Sequence, residues 1–395
     1  MLGPRLSPAA RRSVIQLADF IPSARNLAWE LLGHLNSTPY TLLIYSSSGN
    51  PTPGSNRIGA ASDPGYLLLS HLSGEAKQSI VSLIRLSDGR ATAVWKPDFG
   101  RIGAAQLPHR GITRTSRANG LTFNPVLMPN GDIVFNSFGP LVRQSACGEL
   151  VWVLDGTFNH SNEVDDNGHI RVPSFYSETF PDNPSLNQEI QDSAVSEVSS
   201  GGKLLAVQSF SRILIDNGLR ALLLGRSAEK LLQDPIHMNS IVPAPSDTAY
   251  WKKGDLLISS RHLSTVFLFR PSTRRIVWYR TGPWMNQHNA TFLDSSRISI
   301  FGNDIIAYGP LFLHPGDTNQ VYVYDFATDA VSTPFHDLMQ GQKIRTPTQG
   351  RGQILPDGGL FVEETDSGRL LRFLPDRLLW SWVNWYDDHH IGAVS

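Results

Sequence analysis

Asn124–Asp155 reads NPVLMPNGDIVFNSFGPLVRQSACGELVWVLD. A polar residue opens the stretch, the turn Pro129-Asn130-Gly131-Asp132 follows, and the apolar run Ile133–Phe135 comes next. A second apolar run at Leu141–Val142, a glycine turn and a segment carrying Trp152 complete it. Short β-branched and aromatic runs bounded by Gly, Pro, Asn and Asp predict strands joined by tight turns. The same plan returns along the chain. One copy opens at His160 and continues through DDNGHIRVPSF, and another opens at His237 with GDLLISS and RRIVW. A further copy opens at His288 with RISIFGN and QVYVYDFATDAV, and the last opens near Thr348 with LPDGGLFVEE, GRLLRF and LLWSWV. An earlier, weaker copy holds YLLLS, SIVSLIRLSDG and TAVW. Trp95, Trp152, Trp278 and Trp380 mark the ends of units.

Six units of about four short strands each predict an all-β fold, a six-bladed β-propeller. A pair of β-sandwiches or a barrel with additions is the competing architecture, but neither explains a recurring polar opener and a closing tryptophan. Ahead of the repeats, Val14, Leu17, Ala18, Ile21, Leu27, Leu31 and Leu35 fall at helical spacing broken by Pro22. They predict a short helical N-terminal appendage. The expected organisation is 1–45 for the appendage and a first strand at Tyr40–Tyr45, and 46–395 for the propeller. Two interruptions are expected as insertions: the excursion Phe175–Gln191, and Leu219–Leu232 as a short helix.

Composition narrows the function. The chain has 395 residues, 17% of them charged, with a formal net charge of -1. That balance carries no nucleic-acid footprint. Cys147 is the single cysteine, which rules out an internal disulfide and argues against a cysteine metal site. No apolar run approaches the length of a membrane span. Asp19 interrupts the N-terminal apolar stretch, so no signal peptide is expected. This places the chain in the cytoplasm as given, or outside it if a leader has been removed. A homodimer is compatible with the sequence.

In a propeller, residues at the mouth of each innermost strand converge on one axis. His160, His237 and His288 occupy that place in three units, and Arg261 ends the run LLISSR of the His237 unit. His262, by strand alternation, is expected to face away from Arg261. No carboxylate stands at an equivalent opener, so the predicted centre is strongly cationic. Three histidines are also a ligand set for zinc, iron or copper, although an adjacent guanidinium opposes a bound cation. Neutral histidine as nucleophile, with arginine neutralising non-bridging oxygens, suits sulfuryl or phosphoryl transfer.

DPIHMNSI, GDLLISSRH, RRIVWYRTG, NQHNATFLDSSRISIFGN and, more loosely, GRGQILPDGGLFVEE resemble the PAPS-independent arylsulfate sulfotransferase family over roughly residues 120 to 385. The resemblance implies a propeller that moves a sulfuryl group from an aryl sulfate donor to a phenolic or other hydroxyl acceptor through a transient sulfohistidine, with no cofactor. It implies that His288 becomes sulfated, that His237 and His160 are further active-site histidines, and that Arg261 grips the sulfate. The chain departs from the family's usual QHDA at Gln287-His288-Asn289-Ala290. Gln287 and Asn289 are expected to orient the nucleophile or contact substrate, and Trp284 to supply an apolar wall. The rival functions are a metal-dependent propeller hydrolase or oxygenase with a three-histidine centre, and a non-enzymatic propeller binding module.

Overall fold

The computed structural model describes residues 43–45, 57–107, 115–116, 119–180, 187, 190–225, 232–308 and 311–395. The expected N-terminal helices lie outside them. Six antiparallel sheets follow one another in chain order, as a six-bladed β-propeller. His160, His237, His288 and Thr348 precede the first strands of their sheets, whereas Asn124 lies at the start of its own, Phe123–Leu127.

The first blade holds Tyr66–Ser73, Gln78–Arg85 and Arg90–Trp95, and the second Phe123–Leu127, Ile133–Asn136, Gly139–Gln144 and Leu150–Phe158. The third runs from Glu163–Val164 to Leu204–Ser209. The fourth comprises Met238–Pro243, Leu256–Ser260, Thr265–Arg270 and Arg275–Thr281. The fifth opens with Asn289–Phe292 and Arg297–Gly302, and the sixth with Arg351–Ile354 and Leu360–Glu364. Within a blade, burial decides which residues suit which strand. Leu256–Ser260 is buried throughout and reads as a continuous run, whereas the outer Arg275–Thr281 alternates exposed and half-buried positions.

The ring closes through the end of the chain. Ser395 exchanges two backbone hydrogen bonds of 2.9 Å with Ser70, and the Leu72 amide donates to the Ala393 carbonyl at 3.2 Å. Residues 393–395 thereby supply the innermost strand that the first blade lacks. Leu43–Tyr45 pairs with His390–Gly392 just before this closure, so a strand does form inside the expected Tyr40–Tyr45 segment.

The closing tryptophans hold adjacent blades together. Trp95 Nε1 donates to the Ser145 carbonyl of the second blade at 2.9 Å, and Trp152 Nε1 to the Ser200 carbonyl of the third at 3.1 Å. Trp380 Nε1 reaches from the sixth blade to Asp63 Oδ2, just ahead of the first, at 2.7 Å. Trp278 instead stacks on Tyr324 of the fifth blade with ring centroids 5.0 Å apart. Each indole covers apolar area while its N–H keeps a partner or packs against a ring. Short helices at Phe99–Ala104, Phe210–Asp216, Arg220–Leu224 and His336–Gly341 contribute to the apolar clusters between blades. Arg220–Leu224 falls within the helix expected at Leu219–Leu232; residues 226–231 lie outside the described set. A hairpin, Ile306–Tyr308 with Leu311–Leu313, interrupts the fifth blade and was not expected.

Candidate active site

The openers share an unusual backbone. Asn124, His160, His237 and Gln349 have φ of 42°, 54°, 51° and 52°. Non-glycine residues avoid this left-handed region, at a cost of roughly 1–2 kcal/mol. Its return at one place in four blades shows that the ring imposes it, and such strain concentrates at functional sites. His288 differs: Asn286, two residues earlier, takes the positive φ of 50°, and the His288 amide donates to the Phe301 carbonyl at 2.9 Å.

The three histidines meet at the axis. Ring centroids are 5.1 Å apart for His160 and His237, and 5.6 Å apart for His160 and His288. Arg261 follows strand Leu256–Ser260 directly, and its amide donates to the His237 carbonyl at 2.9 Å, which places the two residues side by side. A small axial cavity of about 20 Å³ is lined by Asn124, His160, Asn239, His288, Gln349 and Ser395, so every blade contributes to it.

His262 corrects the sequence expectation. Its ring lies 4.4 Å from that of His237, and its Nε2 is 3.1 Å from Arg261 Nη1. Alternation fails here because Arg261 and His262 lie in the turn beyond the strand. His262 Nδ1 is 2.6 Å from the Asp234 carbonyl oxygen, which fixes it as the donor and leaves Nε2 to accept from the guanidinium.

The cationic centre is also balanced by carboxylates that the sequence reading overlooked. Asp234 Oδ2 lies 2.5 Å from His237 Nδ1, and Asp234 Oδ1 accepts from the His237 amide at 3.0 Å. The signal was present as the i, i+3 pair in Asp234-Pro235-Ile236-His237. From the sixth blade, Asp366 accepts from the Thr348 amide at 2.8 Å and the Thr346 hydroxyl at 3.0 Å, and interacts electrostatically with Arg261. Burial alone would raise Asp234, but the hydrogen bond from His237 and the positive charge of His237 and His262 hold it below the usual carboxylate range.

Burial lowers three of the rings. Burial, followed by the neighbouring His160, Arg261 and His237 charges, pushes His288 well below the ordinary histidine value, and the Asn303 side chain draws it back only in part. His160 is lowered in the same way, by burial first and then by His237. Burial also brings His262 down to about 4. Arg261 Nε and His288 Nδ1 are among the buried side-chain atoms without a hydrogen-bond partner, as are Asn239 Oδ1, Gln287 Oε1 and Asn303 Oδ1.

Gln287 and Trp284 stand behind the site rather than on its surface. Gln287 is fully buried, and its amide donates to the Ser260 and Thr265 carbonyls at 2.9 and 3.0 Å. That clamps the residue before His288 to the fourth blade. Trp284 is fully buried in the apolar cluster with Leu257, Val266 and Ala290, so it offers no wall to a ligand. Asn289 lines the axial cavity and accepts from the Gly352 amide at 3.4 Å. Among the described residues the three openers form no metal-ligand cluster; Asp234, His237 and His262 do, with ligand atoms within 4.8 Å of one another.

The family model for arylsulfotransferase (ASST) matches residues 124–380, which include every residue placed at the axis above except Ser395. Among solved structures, a protein of unknown function from Bacteroides caccae is 11% identical with a TM-score of 0.49, covering 84% of this chain and 98% of that one. The Pan2 WD40 domain of Neurospora crassa is 8% identical with a TM-score of 0.43, covering 86% and 83%. The virginiamycin B lyase of Staphylococcus aureus with quinupristin is 6% identical with a TM-score of 0.36, covering 67% and 70%. No curated protein matches the chain.

Proposed function

The chain belongs to the arylsulfotransferase family, and on that premise we propose that it transfers a sulfuryl group from an aryl sulfate ester to a phenolic acceptor, by a ping-pong route through a sulfohistidine and without PAPS. The observation that carries the reading is the convergence of His160, His237, Arg261 and His288 at one axis, with burial lowering both His160 and His288. A neutral imidazole has the free electron pair a nucleophile needs, and an unpaired guanidinium N–H suits an anionic oxygen.

In the first half-reaction a ring nitrogen of His288 attacks sulfur. The S–N bond forms as the S–O bond to the aryl group breaks, and the aryl oxygen leaves with the electron pair. Arg261 offsets negative charge on the non-bridging oxygens. His237, oriented by Asp234, starts as the imidazolium, delivers its proton to the leaving oxygen, and as neutral imidazole later takes one from the acceptor, with the carboxylate stabilising the imidazolium before the first transfer and after the second. His160 packs against both His237 and His288 and is the alternative proton carrier. In the second half the acceptor oxygen attacks sulfur and the S–N bond breaks, restoring His288.

Incubation with a chromogenic aryl sulfate, with and without a phenol, tests this. The peptide containing His288 is expected to gain the mass of one sulfuryl group in the absence of acceptor and to lose it when phenol is added. H288A with wild-type turnover would overturn the assignment.

A second reading has one observation in its favour. Asp234, His237 and His262 can be drawn as metal ligands, as a hydrolase or oxygenase would require. Stoichiometric zinc, iron or copper in the purified protein, with activity lost on chelation, would select it.

A further inference from the structure

The openers are unevenly distributed around the ring. The third, fourth and fifth blades supply His160, His237 and His288, whereas the sixth and second supply Gln349 and Asn124, and the first is closed by residues 393–395. The histidines thus stand on one half of the axis, and on the other half Arg351 of the sixth blade interacts with the buried Glu363. In the second half lies a cavity of about 130 Å³ between the first, second and sixth blades. It shares Phe123, Gln349 and Ser395 with the axial cavity that His160 and His288 line. The two spaces are therefore neighbours.

The chemistry of its walls is distinct. Leu72, Leu121, Phe123 and Val394 are apolar. The nearby hydroxyls are turned on one another: Thr122 Oγ1 lies 2.6 Å from Ser70 Oγ and 2.8 Å from Ser79 Oγ. Satisfied in this way, they present little unmet polarity to a guest. Asp366 is the carboxylate side chain on the lining, and it interacts with Arg261 across the axis. His71, Gln349, Thr365 and Asp366 make the rest of the wall polar; a cavity of about 150 Å³ takes a benzene ring, so the volume and the apolar side of this mixed wall suit one aromatic ring with a polar substituent.

We propose that the cavity between the first, second and sixth blades is the aryl subsite, holding the ring of donor and acceptor in turn while the histidine half of the axis handles the sulfuryl group. The occupant assigned to it rests on the sulfuryl-transfer reading. Asp366 gives the hydroxyl of an acceptor phenol an oxygen to donate to. The second blade's Leu121, half-buried on the lining, sets the length of ring that fits.

L121W and L121A, each checked for folding by thermal melting, test the subsite with 4-nitrophenyl sulfate, 2-naphthyl sulfate and 2-naphthol. L121W is expected to raise KM for both esters at least tenfold and to weaken 2-naphthol binding at least tenfold, with inorganic sulfate binding unchanged. L121A is expected to shift preference at least fivefold towards the naphthyl ester, and it carries the test alone if L121W does not fold. Turnover by the folded variants with wild-type KM and preference would overturn the subsite and leave sulfuryl transfer standing. A wild-type protein that turns over neither ester, yet loses 2-naphthol binding in the folded variants, would keep the subsite and overturn sulfuryl transfer. Neither turnover nor 2-naphthol binding would overturn both.

Discussion

Asp234 Oδ2 sits 2.5 Å from His237 Nδ1, and the same carboxylate caps the His237 amide through its other oxygen. The carboxylate therefore fixes both where the ring stands and which nitrogen carries the proton, which on the proposed mechanism leaves Nε2 to move it. This is the logic of a histidine oriented by an acid.

D234N is expected to keep the fold and lose the tautomer. An asparagine can still accept from the amide, but it cannot stabilise an imidazolium. We expect kcat for aryl sulfate to fall on the order of 10²–10⁴-fold with a small change in KM, by analogy with acids that orient a catalytic histidine. Steady-state kinetics at several pH values checks this, because a purely structural lesion would not alter the pH profile.

On the proposed mechanism Arg261 holds the anion. Its Nη1 is engaged by His262, whereas Nε is buried and unpaired. R261K keeps the charge and loses the planar fork. The expected result is a loss of roughly 10²-fold in kcat/KM, with weaker competition by inorganic sulfate. Near-wild-type kinetics in R261K would remove the guanidinium from the mechanism.

His288 is lowered well below the ordinary histidine value, chiefly by burial. Its nucleophilic, unprotonated form therefore persists as pH falls through 6.5, and the acid limb of sulfuryl uptake lies well below that pH. Single-turnover labelling measured from pH 4 to 8 checks it. Stability takes its own course. His262 titrates near 4 in the folded protein, so between pH 6.5 and about 4 the unfolded chain binds the extra proton. Stability falls as pH drops through that window, and H262Q should flatten the decline.

Asp304 has the opposite sign. It accepts from the Met285 amide at 2.8 Å and the Tyr322 hydroxyl at 2.9 Å, yet burial raises it to about 6. Holding the carboxylate ionised costs stability that is absent below the unfolded value near 3.8, grows as pH rises, and is complete above about 6. D304N should therefore stabilise the protein at pH 7–8 by on the order of 1–3 kcal/mol and flatten the dependence between pH 4 and 6. Denaturant midpoints across that range provide the measurement. A loss of stability at pH 8 would mean that its hydrogen bonds to the loop before His288 outweigh the burial of charge.

The repeat was legible because a blade is a local object. Its strands follow each other in sequence, and the pattern from Asn124 to Asp155, where the hairpins are short, states the whole plan. The openers were legible for the same reason: each stands at or within a few residues of the start of its own first strand. Asp234 was within reach through its spacing from His237. His262 was not, because alternation holds along a strand and Arg261 already lies in the turn. The burial of Trp284 was hidden as well, since the blades that cover it are remote in sequence.

From the order of residues alone came a ring of six sheets, three histidines and an arginine at comparable positions, and the expectation that they share an axis. Only the closed ring decided which carboxylates face those bases, which atoms stay unpaired, and that the first, second and sixth blades leave a cavity between them. The reason is physical. Hydrogen bonding and alternation act between near neighbours, whereas burial, charge compensation and cavity shape arise where Ser70 meets Ser395 and Arg261 faces Asp366.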